Sequence, residues 1–175
     1  MDISKLTAHL TIDQIDFRVQ SINKGGYATI LAYKDARVDM QRLDDAVGPL
    51  YWKREHTRDN ANCVVSIYNP DIDEWISKED TGTESNTEAQ KGLASDSFKR
   101  ACFNWGIGRE LYDFPVMSVK LRADEFQAGD RPKATWKLQL REWTWYGEWK
   151  DNKLSFIAAK DTEGNVRFKW GEMAK

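Results

Sequence analysis

Three basic side chains fall on one helix-like run, KGLASDSFKRACFNWGIGREL (91–111): Lys91, Lys99 and Arg100. A planar guanidinium grips phosphate oxygens through two parallel hydrogen bonds, and an ammonium beside it adds a compact point charge. Such a group binds anions; it does not make bonds. The same residues also have a local use. Asp96 stands three residues before Lys99 and four before Arg100, spacings at which exposed helical ion pairs are worth about 0.3–0.5 kcal/mol each. Aromatic residues crowd the neighbourhood, and the chain holds 8 Trp, 6 Tyr and 7 Phe. An exposed ring beside a cation stacks a nucleobase for about 1–3 kcal/mol. Phe98 and Trp105 fall at core-facing spacing instead, whereas Tyr33, Tyr51 and Trp52 are open to either use.

Other chemistries find little support. Two cysteines, Cys63 and Cys102, and two isolated histidines, His9 and His56, give no zinc-ligand spacing. Buried reduced thiols are expected. GIGRE (106–110) lacks the lysine and hydroxyl of a phosphate loop and follows a helix, where that loop follows a strand. No GxSxG or HExxH run occurs. The acidic pairs Asp44-Asp45 and Asp71/Asp73 read as turn and helix residues before they read as a magnesium site. No enzyme, metal or cofactor is expected.

The elements that must position the cations follow from pattern. Residues 3–9 read as a short helix, and TIDQ (11–14) is a capping box opening a second one over 12–17. NKGG (23–26) is a turn and YATILAY (27–33) a buried strand. Asp35 caps a helix over 36–47, with Ala36, Met40, Leu43 and Val47 at helical spacing and Gly48-Pro49 as its stop. Arg37 and Gln41 share another face of that helix. Runs 51–58, 62–69 and 74–83 form a three-strand meander separated by DNAN and NPDID. A helix over 87–105 follows, ending at Gly106, with Ala94, Phe98, Ala101, Cys102 and Trp105 as its apolar stripe. Beyond AGDRPK (128–133), the alternation from Trp136 to Arg141 reads as a strand. Two more strands fit 153–159 and 165–170, joined by the hairpin turn DTEGN.

At 175 residues, with 41% hydrophobic and 31% charged content, the chain reads as a globular protein with a real core. Its net charge of −2 argues against a generic DNA coat, but the charge is uneven. Residues 35–88 hold 6 Lys/Arg against 13 Asp/Glu, and residues 131–175 hold 10 against 6. Local potential, not total charge, governs binding to phosphates. No apolar run approaches the roughly 20 residues of a membrane span. The start, MDISKLTAHLTIDQID, lacks the basic and apolar regions of a signal peptide, so no membrane association and a cytoplasmic location are expected.

Three segments in order resemble the Rad52 single-strand annealing superfamily, including Sak-type phage recombinases. They are GGYATILAYKDARVDMQRLDDAVGPLYW (25–52), the meander, and NTEAQKGLASDSFKRACFNWGIGRELYD (86–113). The likeness covers about residues 8–114. It implies a β-β-β-α unit with a flanking helix; together with the elements read above, the expected class is α+β, a β-β-β-α core with flanking N-terminal helices and a strand-rich C-terminal extension, divided as 1–126 and 127–175. It further implies ATP-independent binding and annealing of single-stranded DNA by a homo-oligomeric ring or filament in a bacterial or phage-infected cell, near the nucleoid. The strand's backbone would lie in a basic groove, with a single-stranded-DNA-binding protein as a candidate partner. Arg37 falls on that family's phosphate-contacting arginine, Lys99 and Arg100 on its groove-floor pair, and Lys91 on a further basic position. Phe103 replaces another basic residue, and a position of the outer DNA site of eukaryotic members falls near Asp80. Two other readings fit the residues alone: a double-stranded-RNA-binding module, which shares the meander-then-helix order, and an interaction scaffold using its Trp-rich tail strands as an edge.

Overall fold

The computed structural model describes residues 2–83, 89–151 and 153–173, without the side chains of 89–91. In chain order the elements are α1 (Ser4–Thr7), β1 (Asp16–Ile22), β2 (Tyr27–Tyr33), α2 (Ala36–Val47), β3 (Trp52–Thr57), β4 (Asn62–Asn69), β5 (Glu74–Thr81), α3 (Ala89–Asn104), β6 (Met117–Lys120), β7 (Phe126–Gln127), β8 (Lys133–Ala134), β9 (Thr144–Lys150), β10 (Lys153–Lys160) and β11 (Val166–Gly171). Single 3-10 turns cover Ile12–Gln14, Arg109–Asp113 and Leu140–Glu142. The class is α+β, with a strand-rich C-terminal region. The chain divides into two compact units, one of Met1–His9 with Asp35–Arg109 and one of Leu10–Lys34 with Glu110–Lys175. The boundary expected at 126/127 divides the chain by sequence pattern, whereas these units are drawn by contact.

In the first unit, β3, β4 and β5 form an antiparallel meander in that order. Alternate residues of a strand share a face, so Cys63, Val65 and Ile67 of β4 all point to the helices. They meet Phe98, Ala101 and Cys102 of α3, Leu43, Ala46 and Val47 of α2, and Leu6 of α1 in one buried cluster. Both thiols are free and buried, and burial pushes the Cys63 thiol up to about 11. The α2 helix begins and ends where its caps dictate. Asp35 accepts the Arg37 backbone N–H at 2.8 Å, and Gly48 takes φ +89° at the other end. Gly82 lets the end of the meander touch α3. A Cβ there would stand 2.7 Å from the Ser97 backbone nitrogen, so only glycine fits.

The second unit holds two three-stranded antiparallel sheets, ordered β1-β2-β6 and β11-β10-β9, and the small β7-β8 pair. Phe17 of β1 stacks on Trp145 of β9 at 3.6 Å, and Trp145 lies 6.3 Å from Trp143. The Arg167 guanidinium caps that column, 4.6 Å over Trp143. Arg167 then grips Glu125 with two bonds of 2.9 and 2.7 Å, and both side chains are buried.

Several expectations are corrected. The capping box at Thr11 is present but opens only the 3-10 turn, and residues 16–17 begin β1. The Phe17/Val19 alternation belongs to a strand that pairs with β2. Residues Trp136–Arg141 are not a strand: they form a turn leading into the 3-10 turn, with Leu140 buried and Trp136 79% exposed. Alternation alone had no neighbouring strand to bond. The strand of that region is β9, TWYGEWK. The N-terminal residues 87–88 of the expected long helix lie outside the described residues, and α3 is described from Ala89.

Candidate nucleic-acid interface

The expected cations sit on two helices of the first unit. Arg37 occupies the first turn of α2, where the helix dipole disfavours a positive charge. Asp35 answers it: its carboxylate accepts the Arg37 backbone N–H and, at 3.0 Å, its Nε–H. The Arg37 side chain is otherwise out in solvent, 85% exposed. The Asp35 carboxyl is held below its usual range first by the Arg37 backbone N–H, which burial opposes, then by the Arg37 side chain, and also by the charge of Lys99. Asp35 thus feels positive charge from two helices, chiefly from Arg37 and least from Lys99.

Arg100 turns elsewhere. Consecutive helical residues point about 100° apart, and Arg100 faces β5, where its Nε is 3.5 Å from Asp80. That nitrogen is buried and not hydrogen-bonded. The intrahelical pair expected with Asp96 is therefore replaced, for Arg100, by a cross-element one. Asp96 itself accepts the Thr83 backbone N–H at 2.9 Å, tying the meander's end to the helix. Register explains this: Asp80 lies opposite Cys63 on β4, on the helix-facing side. The acid that stands near the expected outer-site position is thus the counter-ion of Arg100. The Lys91 side chain lies outside the described residues.

Sequence reasoning missed the cations at the far end of α3. Lys78 donates to the Asn104 carbonyl at 2.8 Å and stands 4.6 Å over Trp105. Arg109 donates to the Phe103 carbonyl through Nε (3.1 Å) and Nη2 (2.9 Å). Both satisfy the orphan carbonyls of a helix end. They are structural cations, and Phe103, half-buried, offers its backbone to one of them. Arg54 of β3 was also missed, 4.7 Å over the buried Phe98 ring yet exposed itself. Its charge is a secondary cause, after burial, of the lowered His56 value. Only a strand register brings Arg54 to that helix. Among the open aromatics, Trp52 donates to Asp44 at 2.7 Å and stacks on Phe98, so it is half-buried structure, whereas Tyr51 is 46% exposed beside Tyr68. Among the described residues no group of three potential metal ligands gathers, and no helix is long and apolar enough to cross a membrane.

The profile of the Rad52/22 family, double-strand break repair proteins, matches residues 3–128. The chain belongs to that family. The match spans α1 to β7 and so includes both cation-bearing helices. Among curated proteins, it is similar to the single-stranded DNA-binding protein DdrA of Deinococcus radiodurans. The two are 38% identical over 118 residues, 66% of this chain and 53% of the relative. The DdrA protein of Deinococcus deserti is 37% identical over 94 residues, 53% of this chain and 46% of the relative. The chain thus spans about half the length of the curated relatives it matches. No solved structure matches at comparable significance.

Proposed function

We propose that this Rad52/22 family protein binds single-stranded DNA and anneals complementary strands in recombination and repair, without ATP, metal or bond-making chemistry. The observation that carries the reading is the exposed Arg37 guanidinium, anchored near its base by Asp35 within the family-matched region. Asp35 fixes the root of Arg37 while leaving its guanidinium in solvent, the arrangement a phosphate needs. Lys99 supplies the second charge from α3. Arg100, half-committed to Asp80, contributes less, and Lys91 extends the same helix. One protomer offers few cations, and the net charge is −2. Side-by-side assembly as a ring or filament multiplies a modest contact into a long track. Bases held away from the backbone groove meet a complementary strand, and base stacking drives the annealing.

In this reading residues 1–126 form the annealing core and 127–175 a β-rich extension. The protein works in the cytoplasm at the nucleoid, alongside a single-stranded-DNA-binding protein. The relatives are single-stranded DNA-binding proteins by name, which supports the choice of ligand. The test is fluorescence anisotropy with two oligonucleotides of unrelated sequence and a duplex-RNA competitor. Arg37→Ala and Lys99→Ala are expected to weaken both oligonucleotides alike and to lower the salt slope by about 0.7 per lost phosphate contact. Undiminished affinity in both variants overturns the site.

A further inference from the structure

The β9-β10-β11 sheet has two unlike faces. Trp145, Ile157 and Ala159 lie on one, the inner face, which stacks on Phe17. Register defines the other. Ala158 lies between Tyr146 and Lys169, Lys160 between Thr144 and Val166, and Lys153 faces Lys150. Alternate residues share a side, and a register shift at Ser155 carries Lys153 to the same side as Lys160, so Tyr146, Lys150, Lys153, Lys160 and Lys169 all emerge together. All four lysines are exposed, and Tyr146 is 47% exposed. The Lys160 ammonium is 5.8 Å from the centre of the Tyr146 ring, and that of Lys169 is 5.9 Å from the centre of Phe156.

Two lysines elsewhere in this unit are paired locally, Lys137 with Asp124 at 3.1 Å and Lys24 with Asp130 at 3.2 Å. Among the described residues none of the four face lysines is in an ion pair. The described carboxylates nearby are Glu148 on the face, with Asp151 and Glu172 at its margins. From Thr144 to Lys150 the cationic strip runs about 20 Å, at roughly 3.3 Å per residue. Four ammonium groups, none in an ion pair among the described residues, on a face with a half-exposed phenol ring match a ligand with both regular negative charge and aromatic faces. An acidic polypeptide would use the lysines and leave the ring without a role.

We infer that this face is a separate contact for single-stranded nucleic acid, with phosphates on Lys160 and Lys169 and a base stacked on Tyr146. The inference rests on the single-strand reading above but uses none of its residues, and it lies beyond the family-matched segment. It gives the basic charge of residues 131–175 a use.

The test uses the full chain and a long oligo(dT) strand. Lys160→Gln/Lys169→Gln is expected to lower the slope of log affinity against log salt by about 1.4, two contacts at ~0.7 each. Tyr146→Leu is expected to weaken binding about fivefold or more, the loss of one stacked base. A strand carrying 5-iododeoxyuridine is expected to photo-crosslink to the peptide containing Tyr146. Far-UV circular dichroism confirms that each variant is folded. An unchanged slope in the double glutamine variant, with Arg37→Ala/Lys99→Ala still losing slope, overturns the sheet-face contact and leaves the helix site standing. The reverse pattern sustains the sheet face and overturns the helix site. If the glutamine variant binds DNA normally but loses self-association in light scattering, the face meets a second copy's acidic surface, and the inference falls.

Discussion

Arg37 and Arg167 are the same residue type in opposite circumstances. Arg167 is 8% exposed, bonded twice to Glu125, once to Asp161 at 3.4 Å and once to the Lys120 carbonyl, with Trp143 beneath it. Arg37 is 85% exposed and held only near its base by Asp35. A buried guanidinium must have every hydrogen answered or it costs several kcal/mol, so its network is closed and leaves nothing for a ligand. An exposed one held at a single point contributes almost nothing to folding and keeps most of its fork for an outside anion. Burial and saturation, not residue type, separate a structural cation from a binding one. Lys78 and Arg109, exposed but spent on helix-end carbonyls, belong with the structural cations, Arg37 stands at the other extreme, and Arg100 falls between.

Substitutions sharpen that contrast. The largest effect is expected at the closed network: Arg167→Ala leaves the Glu125 carboxylate buried and unpaired and costs about 3–5 kcal/mol in urea unfolding. A loss under 1 kcal/mol there would erase the distinction. Next, Arg37→Ala is expected to leave unfolding within about 0.5 kcal/mol of wild type, even as oligonucleotide affinity drops. A large stability loss would move Arg37 to the structural class. The smallest effect is a pH dependence at His56, whose value is pushed below the usual 6.5, first by burial and then by the Arg54 charge. A histidine with a depressed folded value binds fewer protons when native, so stability falls as pH drops through about 6.5. Melts at pH 7.5 and 5.5 should differ less for His56→Gln than for wild type; an equal drop in both places the acid sensitivity elsewhere.

Local chemistry was legible in the sequence wherever caps and turns were explicit. Asp35 and Gly48 bounded α2, NPDID and DNAN set off the meander strands, and DTEGN turned β10 into β11. The stripe of Phe98, Ala101 and Cys102 announced the face of α3 that is buried. What stayed hidden was long-range pairing. Period-two spacing says which side of a strand would be covered, not that a neighbour exists, so Trp136–Arg141 misled while Asp16–Ile22 and Thr144–Lys150 passed unnoticed. The partner of Arg100 depends on the β4-β5 register, which places Asp80 under the helix, and no local spacing encodes that. Nor does any local pattern show that Leu10–Lys34 joins Glu110–Lys175 in one unit. The candidate cations were readable by type; which of them are committed to the fold was not.

The stacked column of Phe17, Trp145 and Trp143 also carries an optical signature. Two indoles 6.3 Å apart and tilted 24° couple their electronic transitions, and such coupling produces a paired band of opposite signs in circular dichroism. The band should vanish when the second unit melts and persist if only the first one does. The molecule thus contains its own dye, reporting on one half of the chain without a label.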